Sequence, residues 1–180
     1  MGYVMLGMAS FTDEGRNGAV LQMFNHGIVT AMLFLLVGVV YDRAHHRDIE
    51  GFGGLASVTP NYAFVAFLAF FSALGLPGLN SFISEALVLL GAFKSHTVLA
   101  VIAATGVIIT AAYCLWTLQR VFLGAVNQKY ALLPDLTGRE IASLAPLAIL
   151  VVALGVFPHP VLNLMKATLG SLNALVMASL

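Results

Sequence analysis

The chain has 180 residues, 60% of them hydrophobic and 9% charged, and its 8 Lys+Arg balance its 8 Asp+Glu to a net charge of zero. A soluble domain carries about 25% charged residues, so the composition excludes an ordinary soluble surface and predicts an integral membrane protein. It also lacks the basic patch of a nucleic-acid binder, and its single cysteine, Cys114, excludes an internal disulfide.

The opening MGYVMLGMASF is apolar but short, because a helix needs roughly 20 residues to cross. It has no basic n-region to make it a signal peptide. It reads as the tail of a helix, with Met1 an internal methionine of a longer protein. TDEGRNG follows as a polar loop. Residues 18–40 form a long apolar run interrupted by Asn25 and His26, and charge then gathers in YDRAHHRDIE. GFGGLASVTP is a turn-rich link. Residues 61–76 are apolar and end at GLPG, where Pro77 cannot continue the hydrogen-bond ladder and Gly75 and Gly78 loosen the chain. Residues 79–93 resume as a short helix. KSHT is the next polar break, 98–123 a long run, 124–140 a polar loop and 141–157 another run. PHP breaks the chain at 158–160, with His159 as a loop residue. The last 20 residues either cross or lie laterally as an amphipathic helix.

The reading is all-α: a polytopic transmembrane helix bundle with about five spans plus a truncated N-terminal helix. It has a discontinuous helix near Gly75 and Glu85, and residues 1–180 form a single transmembrane domain. Lipid offers no partner for open backbone groups, and no strand-like alternation suggests a barrel. Strict alternation of spans places Arg16, Arg120, Lys129 and Arg139 on one side and Arg43, Arg47, Lys94 and Lys166 on the other. That tie leaves the orientation open.

Glu85 is the only Asp, Glu, Lys, Arg or His between Gly51 and Phe93. A charged carboxylate at mid-membrane costs about 2.5–3.5 kcal/mol on insertion scales, and low dielectric favours its neutral form. A carboxyl one to two turns from an interrupted helix points to a hydrated pocket and a proton carrier. The competing reading is a static ion pair with a neighbouring helix. His26 lies about two turns into a span, where imidazole suits a proton relay or a structural hydrogen bond. Gln22 and Thr30, at i−4 and i+4 on the same face, extend a polar path. Asn25, Asn80 and Ser84 are further polar positions beside it. Asp42, Arg43 and His45 sit at a span end, where a wet interface accounts for them. Lys94 and Arg120 are expected to snorkel, and Tyr113 and Trp116 to form an aromatic belt. No phosphate loop, nucleophile elbow or H-E-x-x-H occurs, so no cofactor is expected in this chain.

Three stretches together carry a resemblance: MGYVMLGMAS with LQMFNHGIVTAMLFLLVGVVYDRAHHRDI; GGLASVTPNYAFVAFLAFFSALGLPGLNSFISEALVLLGAF; and LQRVFLG with LPDLTGREIASLAPLAILVVALGVFPHPVL. They resemble the antiporter-like subunit-4 (chain M) family of the proton-translocating NADH:quinone oxidoreductase, respiratory complex I, over essentially the whole chain. The match corresponds to roughly the C-terminal third of that subunit. The resemblance implies inverted repeats with a discontinuous helix in each and a hydrated path of buried ionisable groups. It also implies other membrane subunits as partners and a bacterial inner or organellar membrane. The family's second-half acidic residue falls on Glu85 and its intramembrane histidine on His26. Sister subunits and cation/proton antiporters usually carry Lys at the Glu85 position. The family's first-half Glu and Lys and its central Lys lie outside these residues, so this stretch holds part of a relay.

Overall fold

The computed structural model describes residues 1–179, and among them the only regular elements are helices and short 3-10 turns. Helix α1 (Gly2–Ala9) is followed at once by α2 (Asp13–Ala44), the chain reversing through Phe11 at φ 53°. The stretch expected to be a loop, TDEGRNG, is the start of α2. Thr12 stands at the N-cap in extended conformation and its Oγ1 accepts from the Gly15 N–H at 3.1 Å. Asp13 and Glu14 occupy the first turn, where the helix dipole favours negative charge. The polar residues are therefore capping residues. At 32 residues the helix is about 48 Å long.

After a single turn, α3 (Leu55–Val58), come α4 (Pro60–Ala73) and α5 (Asn80–Ser95). Pro60 takes the first helical position, where its missing N–H costs nothing. The next two N–H groups, of Asn61 and Tyr62, each donate to a carboxylate oxygen of Asp135 at 3.0 Å. The chain leaves α4 through Gly75 at φ 77° and Gly78 at φ 95°, so the break lies where GLPG placed it.

The two short helices follow α2 in reverse order. The Tyr62 hydroxyl donates to Leu36 O at 3.1 Å, Asn25 Nδ2 donates to Asn80 O at 2.8 Å, and Lys94 pairs with Glu14. One broken helix thus lies antiparallel to one continuous helix. Lys94 is at the opposite end of α2 from Arg43, which corrects the alternation that grouped the two. The cause is length: 14 and 16 residues give about 21 and 24 Å, short of a bilayer core of about 30 Å. The backbones of α2 and α5 touch through glycine. A Cβ at Gly91 would lie 2.4 Å from Gly15 N, and one at Gly18 2.7 Å from Val88 N.

Helix α6 (Thr97–Phe122) runs back to the Arg43 end, where Leu123 O accepts from the Gly54 N–H at 3.2 Å. Helix α7 (Gly138–Val156) opens with a capping box between Thr137 and Glu140. Glu140 also receives both arms of the Arg43 guanidinium, at 3.0 and 2.8 Å. Near its other end, a Cβ at Gly155 would lie 2.3 Å from Gly78 O, so α7 packs on the break itself. Pro158 stops α7, and α8 (His159–Ser179) begins at His159, a residue expected in a loop.

Met32, Leu36, Tyr62, Ala66, Leu118, Phe122, Leu144 and Val151 form the core between α2, α4, α6 and α7. Among the described residues three helices, α2, α6 and α7, are long and apolar enough to cross a membrane singly, and α4 is a shorter apolar helix. Val98, Ile102, Ile108 and Ile109 of α6 are exposed, as a lipid-facing surface requires. The molecule is an all-α integral membrane bundle.

Candidate functional site

Residues 22, 26 and 30 of α2 recur at i, i+4 and i+8 and so share one helix face. That face looks into a cavity of about 240 Å3 beside the break. Its polar lining comes from four helices: Tyr3 of α1; Gln22, His26 and Thr30 of α2; Ser81 and Glu85 of α5; and Thr110 and Tyr113 of α6. The carboxyl of Glu85 occupies the space a side chain at Gly75 would take, since a Cβ there would lie 2.7 Å from Oε2. Glycine at 75 therefore serves twice, once for its positive φ and once for the room it leaves. Gln22 interacts with the Glu85 carboxyl. His26 Nε2 is 3.4 Å from Thr30 Oγ1, a long contact that leaves the imidazole free to take other partners.

Behind the cavity lies a buried amide and hydroxyl network. Asn25 Nδ2 donates to Asn80 O at 2.8 Å and to Ser84 Oγ at 3.1 Å. Asn80 Nδ2 donates to Asn25 Oδ1 at 3.2 Å, and the Ser72 hydroxyl donates to Asn80 Oδ1 at 2.6 Å. Ser72 belongs to α4 and Asn80 to α5, so the last bond spans the break. Ser84 Oγ donates to Gln22 Oε1, joining network to cavity. Among the described residues, no buried side-chain nitrogen or oxygen lacks a partner.

The positions singled out from sequence thus divide into three. Glu85, His26, Gln22 and Thr30 line one cavity, and Asn25, Asn80 and Ser84 form the network behind it. Asp42, Arg43 and His45 lie elsewhere, at the far end of α2. Arg43 is 17 positions beyond His26, about 26 Å along the helix. Arg43 ties α2 to α7 through Glu140, and Asp42 and His45 are exposed. Tyr113, expected in an aromatic belt, is exposed and also lines the cavity. Lys94 is paired with Glu14, and Arg120 lies over the Trp116 ring. Tyr3, Thr110, Ser72 and Gly75 were not singled out as site residues. Among the described residues no group of three or more His, Cys, Asp or Glu is placed to hold a metal.

Residues 1–110, which contain every residue lining the cavity except Tyr113, match the family model described as NADH:quinone oxidoreductase/Mrp antiporter, TM. The chain belongs to that family. It is 41% identical over 173 residues to NADH-quinone oxidoreductase subunit M of Rhodobacter capsulatus, covering 96% of this chain and 34% of the relative. It is 39% identical, over 96% of this chain and 35% of the relative, to NADH-ubiquinone oxidoreductase chain 4 of Arabidopsis thaliana. The chain therefore spans about a third of the length of these relatives. Among solved structures it is similar to a chain of respiratory complex I from Thermus thermophilus with bound NADH, at a TM-score of 0.82 and 37% identity. That match covers 88% of this chain and 33% of the other. A chain of the Mrp complex from Dietzia sp. DQ12-45-1b gives a TM-score of 0.81 at 21% identity, covering 96% and 40%, and at that identity supports the fold alone.

Proposed function

We propose that this family member is the C-terminal, second-repeat part of an antiporter-like subunit of the M type. In this reading it works in the membrane arm of a proton-translocating NADH:quinone oxidoreductase, with the other membrane subunits and the lipid bilayer as partners. The observation that carries this reading is the meeting of His26 and Glu85 in one polar cavity at a helix break. They come from different helices 59 positions apart in sequence. A cavity of about 240 Å3 has room for several waters at about 30 Å3 each, and waters, hydroxyls and imidazole together make a proton-conducting chain.

In this reading His26 receives a proton from elsewhere in the subunit. Water and the Thr30, Ser81 and Thr110 hydroxyls carry it across the cavity, and Glu85 accepts and releases it. Moving one charge against 100 mV costs about 2.3 kcal/mol. A change of two units in the proton affinity of Glu85 between two conformations supplies about 2.7 kcal/mol, which is sufficient. No electron-carrying group is needed in this chain; the redox step belongs to other parts of the complex.

The broken helix counts as one crossing in this reading, so α2, α4 with α5, α6 and α7 make four, with α1 the end of a further helix. Arg43, Arg47, Arg120, Lys129 and Arg139 then share one end, against Arg16 and Lys94 at the other, with Lys166 of α8 left aside. The excess puts the Arg43 end on the cytoplasmic side. Glu85, on the half-helix near the Arg16 end, belongs to the half of the path leading to the opposite face.

The Mrp-type fold keeps a second reading, a cation/proton antiporter subunit. The relatives at 39–41% identity and a Glu rather than Lys at position 85 favour the first. A third reading makes Glu85 a static ion-pair partner; the salt bridges that Arg43 and Lys94 make are with Glu140 and Glu14, not with Glu85. The test is NADH-driven proton pumping in native membranes carrying Glu85→Gln, measured beside NADH oxidation and the amount of assembled complex. Pumping should be lost or strongly reduced in a normally assembled complex. Undiminished pumping removes Glu85 from the path, and failed assembly favours the static role. Dependence of the flux on sodium or potassium would favour the antiporter.

A further inference from the structure

We infer that Gln22 and Ser84 form a two-position hydrogen-bond switch that accommodates Glu85 in both of its protonation states, an inference that rests on the carrier reading of Glu85. The argument starts from a group that can only accept, the backbone carbonyl of Asn80. Asn25 meets it at 2.8 Å and so must present its NH2 there. Its Oδ1 then faces the Asn80 amide nitrogen at 3.2 Å, as the pairing requires. The same NH2 reaches Ser84 Oγ at 3.1 Å, so Ser84 accepts from Asn25 and keeps one proton to give. Two acceptors compete for that proton: Gln22 Oε1 and, at 3.0 Å, Ser81 O.

This competition defines two complete arrangements. In the first, Ser84 donates to Gln22 Oε1, and the Gln22 NH2 faces Glu85. A carboxylate only accepts, so this arrangement suits the ionised form. In the second, Ser84 donates to Ser81 O and accepts from the Gln22 NH2. Gln22 Oε1 then faces Glu85 and accepts from its protonated carboxyl. The two differ by a half-turn of one amide and a rotation of one hydroxyl, with no backbone movement. Every polar atom has a partner in both, which matters because an unsatisfied buried donor or acceptor costs far more than a satisfied one contributes. Gln22 is a positioning residue here. The other titratable groups facing the cavity are Tyr3 from α1, His26 from α2 and Tyr113 from α6; the α4 segment lining it, Ala73 with Leu74 beyond it, contributes none.

The test is pH-difference infrared spectroscopy of the assembled complex in membranes. The Glu85 carboxyl band is assigned by its loss in Glu85→Gln, and the Gln22 side-chain carbonyl band by its loss in Gln22→Met. The two bands should change together with one midpoint. Gln22→Met should raise the carboxyl midpoint by on the order of one pH unit, since the lost bond is stronger to the carboxylate than to the acid. Ser84→Ala, which removes the donor to Gln22 Oε1 in the ionised arrangement, should shift the Gln22 carbonyl band chiefly above the Glu85 midpoint. The parent spectrum alone decides if Ser84→Ala fails to assemble. A Gln22 band that stays constant while Glu85 titrates overturns the switch and leaves the carrier reading standing. A carboxyl band that never appears at any accessible pH overturns both.

Discussion

Gly75 and Gly78 provide a matched pair for testing whether the seat of Glu85, and not merely the bend beside it, governs proton movement. Both stand in the break with positive φ, at 77° and 95°. Alanine at either position carries a left-handed backbone cost of about 1–2 kcal/mol. They differ in what the new methyl meets. At Gly78 there is nothing within 4 Å, whereas at Gly75 the methyl carbon would sit 2.7 Å from Glu85 Oε2. Restoring an ordinary 3.4 Å contact displaces the carboxylate by about 0.7 Å. A misplacement near 1 Å can cost about a hundredfold in a reaction that depends on alignment. Gly75→Ala should therefore reduce pumping per NADH oxidised on the order of tenfold relative to Gly78→Ala, with both complexes losing thermal stability alike. The assay is initial proton uptake or release against NADH consumption in vesicles, normalised to assembled complex. Equal pumping by the two variants would show that the position of the carboxylate is immaterial and that only the break matters.

Two further outcomes concern the Arg43 end. Arg43→Ala leaves Glu140 without its forked partner in a half-buried setting and should destabilise the α2–α7 junction by about 2 kcal/mol, read as a lower melting temperature of the complex. Arg43→Lys should recover only part of that, because an ammonium cannot reproduce the two-armed geometry. At the start of α4, burial pushes the Asp135 carboxyl up, but N–H donation from Asn61, Leu136 and Tyr62 outweighs it and holds the group below its ordinary value of 3.8. A depressed carboxylate contributes stability above its unfolded-state pKa and loses it as the pH falls through the folded one. The stability gap between the parent and Asp135→Asn should thus be full at neutral pH and close below about 3.8. A gap that persists unchanged into strong acid would show that the carboxylate is not the source.

Some of this architecture was legible in the residues and some was not. Gly75, Pro77 and Gly78 announce the break because each acts on the backbone locally. Glu85 stands out because a lone carboxyl in an apolar stretch has few uses. His26, Gln22 and Thr30 fall on one face by spacing alone. The start of α2 was misread because a capping sequence and a loop draw on the same residues, and only the Thr12–Gly15 bond separates them. The course of α4 and α5 as one unit depends on Tyr62, Asn80 and Lys94 meeting α2 in order, a tertiary fact with no local signature. Tyr3, Thr110 and Tyr113 escaped for a related reason. A helix apolar on all sides has no marked face, so its polar residues do not reveal which way they point.

The divided helix also bears on how the chain enters the bilayer during synthesis. An insertion apparatus favours about 20 apolar residues; neither the 14 residues of α4 nor the 16 of α5 meets that length alone, and only the uncharged run that joins them across the break does. Their alignment as two half-helices comes from α2, which is made first and offers Leu36 O, Asn25 and Glu14 as successive landing points. Synthesis therefore has a built-in order: the helix that bears the histidine is complete before the helix that bears the carboxyl, and acts as the template on which the two halves are aligned.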